Sequence, residues 1–164
     1  MQYFVPSQAI VHSDYNPLNL QHNLGILILP HLIPPFLVNP IQLPPPFLQP
    51  SPMFRYYGFG ITDYVDMNSV PNTLKHGFTS EIPIQNCSSI FGGQLITENS
   101  WCAQQFTSGL CHGDQGGPLV HFFENYLIAV ASFWMVPCHG GYPDVFVRIE
   151  PYIGWINNIT MSDN

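Results

Sequence analysis

Cys111-His112-Gly113-Asp114-Gln115-Gly116-Gly117-Pro118-Leu119-Val120 sets three glycines around one acid, between a cysteine and an apolar run. This is the composition of a tight backbone loop, because glycine adopts turn conformations that other residues resist. Such a loop can aim successive backbone N–H groups at one point, as an oxyanion hole requires. An ordinary disulfide-tethered hairpin turn has the same composition. From composition alone both readings stand.

Outward from this loop the chain reads as short strands split by Gly, Asn and Ser. Tyr56–Ile61, Thr73–Ile84, Leu119–Phe123, Tyr126–Trp134 and Asp144–Ile149 are the candidates. That rhythm predicts a barrel or sandwich, an all-β class. After Pro151, the residues Tyr152, Ile153, Trp155, Ile156 and Ile159 fit one face of a short terminal helix. Upstream, residues 3–11 read as a strand. Asp14-Tyr15-Asn16-Pro17 is a turn signal, and Leu24–Leu29 is a short apolar run consistent with a buried strand. Residues 30–52 hold nine prolines, so they form a connector with neither helix nor central strand. Pro44-Pro45-Pro46 also fits a polyproline recognition tract, although the neighbouring Leu and Phe look like residues packed on a surface.

The 164 residues suggest about one domain. Only 8% are charged, with 10 acids against 3 bases and a net charge of -7, and no charge falls between Asp14 and Arg55. Three bases cannot neutralise many phosphates, which argues against a nucleic-acid partner. An aromatic content of 14% argues against an acidic disordered tail. The longest apolar stretch, Leu24–Val38, is broken by Pro30, His31, Pro34 and Pro35, so no membrane span is expected. The amino terminus does not read as a signal peptide. Cys87, Cys102, Cys111 and Cys138 lie at no zinc-site spacing, so neither metal nor cofactor is expected. Four separated cysteines instead suggest two disulfides and an oxidising compartment. The sequons at Asn86 and Asn158 point the same way, in conflict with the missing signal peptide. His76, His121 and His139 read as exposed or core residues rather than ligands. The Tyr56-Tyr57 and Phe122-Phe123 pairs read as strand residues rather than a stacking platform.

A family resemblance decides between the loop readings. The quoted segment resembles the nucleophile loop C-x-G-D-S-G-G-P-L-V of chymotrypsin-like (trypsin-fold) serine proteases, fitting nine of ten positions. The misfit is the nucleophile itself, where Gln115 stands in place of serine. His12-Ser13-Asp14-Tyr15-Asn16-Pro17 and Leu20–Pro30 resemble a stretch of insect-type members. Gly58-Phe59-Gly60 resembles the G-W-G strand, and Ala131-Ser132-Phe133 the substrate-binding strand. Gly141–Ile149 resembles the last strand, with Tyr152, Trp155 and Ile156 in the terminal helix.

The resemblance implies a chymotrypsin-like double β-barrel with disulfides Cys87–Cys102 and Cys111–Cys138. The family's I-V-G-G start and T-A-A-H-C segment have no counterpart here. The expectation is a partial domain: residues 1–29 a remnant of the first barrel, 30–52 the connector, 53–149 an essentially complete second barrel, and 150–160 the terminal helix. On the same alignment the catalytic aspartate position falls on Asn23. Gly113, Asp114 and Gln115 form the oxyanion-like loop. Asp114 would lack its usual amino-terminal partner, so it is expected to be solvated or protonated, in a mobile or collapsed loop. Gly109, Ser132, Phe133, Trp134 and Asp144 fall on the substrate pocket. Trp134 would narrow that pocket, although it and Phe133 also suit plain core packing.

The expected function is that of a secreted, proteolytically inactive serine-protease homologue. Any role would be binding, of a protein or peptide at the remnant cleft. Open barrel edges would invite aggregation or partner pairing. The alternatives are an active serine endopeptidase and a truncated gene product with no function of its own.

Overall fold

Pro118 through Phe133 form the centre of a curled antiparallel sheet. In the computed structural model, residues 4–161 are described apart from 35, 49, 107 and 139; the expectation for His139 therefore lies outside the described residues. The strands are β1 (Gln8–Val11), β2 (Gly25–Ile28), β3 (Phe54–Gly58), β4 (Lys75–Thr79), β5 (Ser100–Ala103), β6 (Pro118–His121), β7 (Leu127–Phe133) and β8 (Asp144–Arg148). Helix α1 spans Ile84–Phe91. A single 3-10 turn, Glu150–Tyr152, leads into α2 (Ile153–Met161). No described helix is long and apolar enough to cross a membrane.

β1 and β2 pair with each other. The other six strands run in the order β4-β3-β6-β7-β8-β5. The chain just after β4 then meets β5: the Ile82 N–H bonds to the Cys102 carbonyl at 3.0 Å, and the Gln104 N–H to the Ser80 carbonyl at 2.9 Å. The curled six-stranded sheet thereby brings its two ends together at an isolated bridge between Glu81 and Ala103. Its interior holds Phe54, Tyr56, Trp101, Leu110, Leu119, Ala129 and Phe146. The alternation on β3 produces this, with Phe54 and Tyr56 inward and Arg55 and Tyr57 only half-buried. The β1–β2 hairpin is seated by Leu24, which joins Val147, Ile149 and Tyr152 in a second cluster. The connector also packs down, through Leu43 and Leu48.

Two expectations need correction, and one strand was not expected at all. The strand expected over 3–11 begins only at Gln8, after Pro6. The run Thr73–Ile84 pairs only through Thr79, and Ile84 instead opens α1, which the strand reading missed. Pro83 precedes that helix and Gly92 ends it with φ 86°, while Ile84, Cys87 and Phe91 recur on the face packed against the barrel. β5 was also missed: four residues, all buried, show no alternation to read.

Candidate functional site

The loop between Cys111 and β6 is a closed turn. The Asp114 N–H bonds to the Cys111 carbonyl and the Gly117 N–H to the Asp114 carbonyl, both at 2.9 Å. Gly113 and Gly116 hold φ of 101° and 79°, a left-handed region that side chains resist. The disulfide Cys111–Cys138 ties the start of the loop to the segment after β7, and Cys87–Cys102 ties α1 to β5, the pairing the resemblance implied.

Against the expectation of a solvated or protonated Asp114 in a mobile or collapsed loop, the structure gives its carboxyl group two backbone partners. The half-buried Asp114 carboxylate accepts the Gly60 N–H on Oδ1 at 2.7 Å and the Cys111 N–H on Oδ2 at 2.9 Å. Two backbone donors thus hold the carboxylate in the loop. Gly58 and Gly60 make the seat possible, since a Cβ on either would overlap this carboxylate. A cavity of about 330 Å³ lies beside it, lined by Tyr56, Gly58, Gly60, Ser108, Gly109 and Asp114. Tyr56 donates to or accepts from the Ser108 hydroxyl at 2.6 Å. Burial pushes its phenol up to about 12, opposed by that hydrogen bond and supported by the charges of Asp144 and Asp114.

Gln115 and Asn23, 92 positions apart in sequence, come to neighbouring residues of β7. The Gly116 N–H bonds to the Ala131 carbonyl at 3.0 Å, which places the exposed Gln115 beside that strand. Asn23 donates from Nδ2 to the hydroxyl of the buried Ser132 at 2.9 Å. Gln115 turns its amide back on its own loop: Oε1 accepts the Gly113 N–H at 3.3 Å. An amide carbonyl thus occupies one of the loop's outward donors.

The pocket-like residues are divided. Gly109 and Asp144 do meet, because a Cβ on Gly109 would lie 2.7 Å from Asp144 Oδ2. Asp144 is only 2% exposed, however, and accepts the Leu110 N–H and the Gln105 side-chain amide, each at 2.9 Å. These two contacts hold its carboxyl group against the 105–110 segment. Trp134 packs half-buried on Ile61 and the Cys111–Cys138 disulfide, with its ring 5.7 Å from that of His112. Phe133 packs on Phe91 at 5.4 Å. Asn86 and Asn158 are both exposed, on α1 and α2. No group of three or more His, Cys, Asp or Glu able to hold a metal exists among the described residues. Gln105, Ser108 and Tyr56 were not singled out as site residues from sequence. The Gly58-x-Gly60 spacing was a usable signal for a carboxylate seat, while Gln105 and Ser108 carried none.

A family model described as trypsin matches residues 2–156. Serine protease 1 of Drosophila melanogaster is 31% identical over 163 residues, covering 92% of this chain and 57% of its own length. A collagenase of Hypoderma lineatum is 27% identical over 159 residues, covering 95% of this chain and 61% of its own length. The chain therefore spans less than two thirds of these relatives. Among solved structures, neuropsin, a serine protease expressed in the limbic system of mouse brain, superposes with a TM-score of 0.85 at 27% identity. That match covers 97% of this chain and 72% of neuropsin.

Proposed function

Since this chain belongs to the trypsin family of serine proteases, we propose that it is a non-catalytic member that binds polypeptide rather than cleaving it. Its fold is the family's chymotrypsin-like, mostly β arrangement. The observation that carries the proposal is Gln115 at the nucleophile position, with its amide oxygen on the Gly113 N–H. Hydrolysis by this family needs a serine oxygen that a histidine deprotonates and an aspartate that orients the histidine. A carboxamide offers no such oxygen at neutral pH. Asn23, at the aspartate position, is neutral and already donates to Ser132. A neutral amide there neither selects the right imidazole tautomer nor stabilises an imidazolium. Loss of a triad serine or histidine removes about 10⁶ in kcat in a related mechanism, and further losses add little.

The retained parts are those of a binding cleft: the loop at Gly113–Gln115, β7 with Ser132, and the segment at Gly109. The ligand is an extended peptide or protein segment. The place of action is outside the cell, a reading supported by the two disulfides and by exposed sequons at Asn86 and Asn158, which would carry glycans. The test is a fluorogenic-peptide assay on the secreted product with and without a serine-directed covalent inhibitor. The proposal expects no inhibitor-sensitive turnover. Turnover abolished by the inhibitor would sink it.

A further inference from the structure

On the outer face of the barrel, β3 and β4 turn Arg55, Tyr57, His76 and Phe78 to one side. Arg55 is paired with Phe78 and Tyr57 with His76, and residues two apart share a face. Phe122, from the turn after β6, closes over the group. The Arg55 guanidinium carbon lies 5.1 Å from the centre of the Phe78 ring and 5.0 Å from that of Phe122. Nη1 donates to the Tyr57 hydroxyl at 3.3 Å, while Nε is buried with no acceptor. Among the described residues the ion pair is Arg148 with Glu81, so no carboxylate pairs with Arg55, including that of Glu124 in the adjacent turn. Phe123, whose ring is 4.9 Å from that of Phe122, stands 71% exposed at the edge.

This is a costly use of one of three basic residues in a chain of net charge -7. Two rings flank the half-buried guanidinium and strip part of its water, yet supply no countercharge. A held, half-desolvated guanidinium binds a carboxylate more strongly than a mobile surface arginine does, because less side-chain entropy is lost and the local dielectric is lower. The exposed phenyl rings beside it supply apolar contact area, and arginine with aromatics is the composition that dominates interface energetics. We propose that this face is a binding site for an acidic–aromatic peptide segment of a partner protein, seated by a carboxylate on Arg55 and by apolar contact with Phe78 and Phe123.

The probe is the N-acetylated, C-amidated tripeptide Phe-Glu-Phe, with Phe-Gln-Phe as its uncharged isostere. The chain has two arginines, Arg55 and Arg148, so a ¹⁵N spectrum resolves two Nε–H signals. Addition of the Glu peptide shifts the Arg55 signal saturably and leaves that of Arg148 in place. The Gln peptide binds roughly tenfold more weakly, the loss of one charge-assisted contact. Arg55→Met keeps an apolar stem between the rings and removes the charge, so it abolishes binding while the protein still melts cooperatively. If that variant does not fold, the Glu–Gln comparison on the unaltered protein decides alone. Equal binding of the two peptides, parallel shifts of both signals, or no shift at millimolar peptide would overturn the proposal and leave Arg55 as a cover for the two rings.

Discussion

Replacing Asp114 by alanine tests how the loop is held. The carboxylate accepts two backbone N–H groups, from Gly60 at 2.7 Å and from Cys111 at 2.9 Å. Alanine leaves both donors without a partner in a half-buried setting. A lost partner of this kind costs about 1–3 kcal/mol per group, and partial access of water keeps the sum to about 2–4 kcal/mol. For a chain of this size that corresponds to a fall of roughly 5–15 °C in melting temperature. Asp114→Asn retains one acceptor and should lose about half as much. Thermal and urea unfolding of the disulfide-intact protein, read by far-UV circular dichroism, provide the comparison. An alanine variant that melts within 1 °C or so of the parent would refute the reasoning. The carboxylate would then be solvated, one of the two states the sequence suggested.

Tyr56 makes stability fall in alkali. Its folded phenol is raised from 10.0 to about 12 by burial, so its contribution is complete below pH 10 and is lost as the pH rises to 12. The difference amounts to about 2–3 kcal/mol, and unfolding titrations across that window should lose it in the parent but not in Tyr56→Phe. Replacing Cys111 and Cys138 together by alanine frees a 27-residue loop and should lower the unfolding free energy by about 3–4 kcal/mol at neutral pH. Gly109→Ala places a methyl group against Asp144 and the Gln105 amide. Displacing that amide from a buried carboxylate should cost about 1–3 kcal/mol, read as a shift in the urea midpoint at constant slope.

What the sequence made legible was local. Glycines around Asp114, the prolines of 30–52 and the apolar stripe after Pro151 each act on their neighbours. They placed the loop, the connector and the terminal helix without any tertiary contact. The disulfide pairing came from the resemblance, since spacing alone leaves three pairings of four cysteines. The short buried β5 and the eight-residue α1 were invisible because neither shows enough periods to be read. The seat of Asp114 was missed for a different reason. Its donor Gly60 lies 54 residues away, so the Gly58-x-Gly60 signal could not be matched to Asp114 without the fold. The same holds for Asp144, whose place on the substrate pocket followed from the resemblance, while its partners Gln105 and Leu110 lie 39 and 34 residues away.

Labelling by a fluorophosphonate, followed by intact mass, addresses the central claim most directly. Such a probe reacts with a serine whose oxygen is activated by a neighbouring base. With Gln115 at the nucleophile position and Asn23 bound to Ser132, the native protein should keep its unmodified mass under conditions that fully label an active trypsin. A stoichiometric adduct lost on heat denaturation would show an activated nucleophile and contradict the non-catalytic reading.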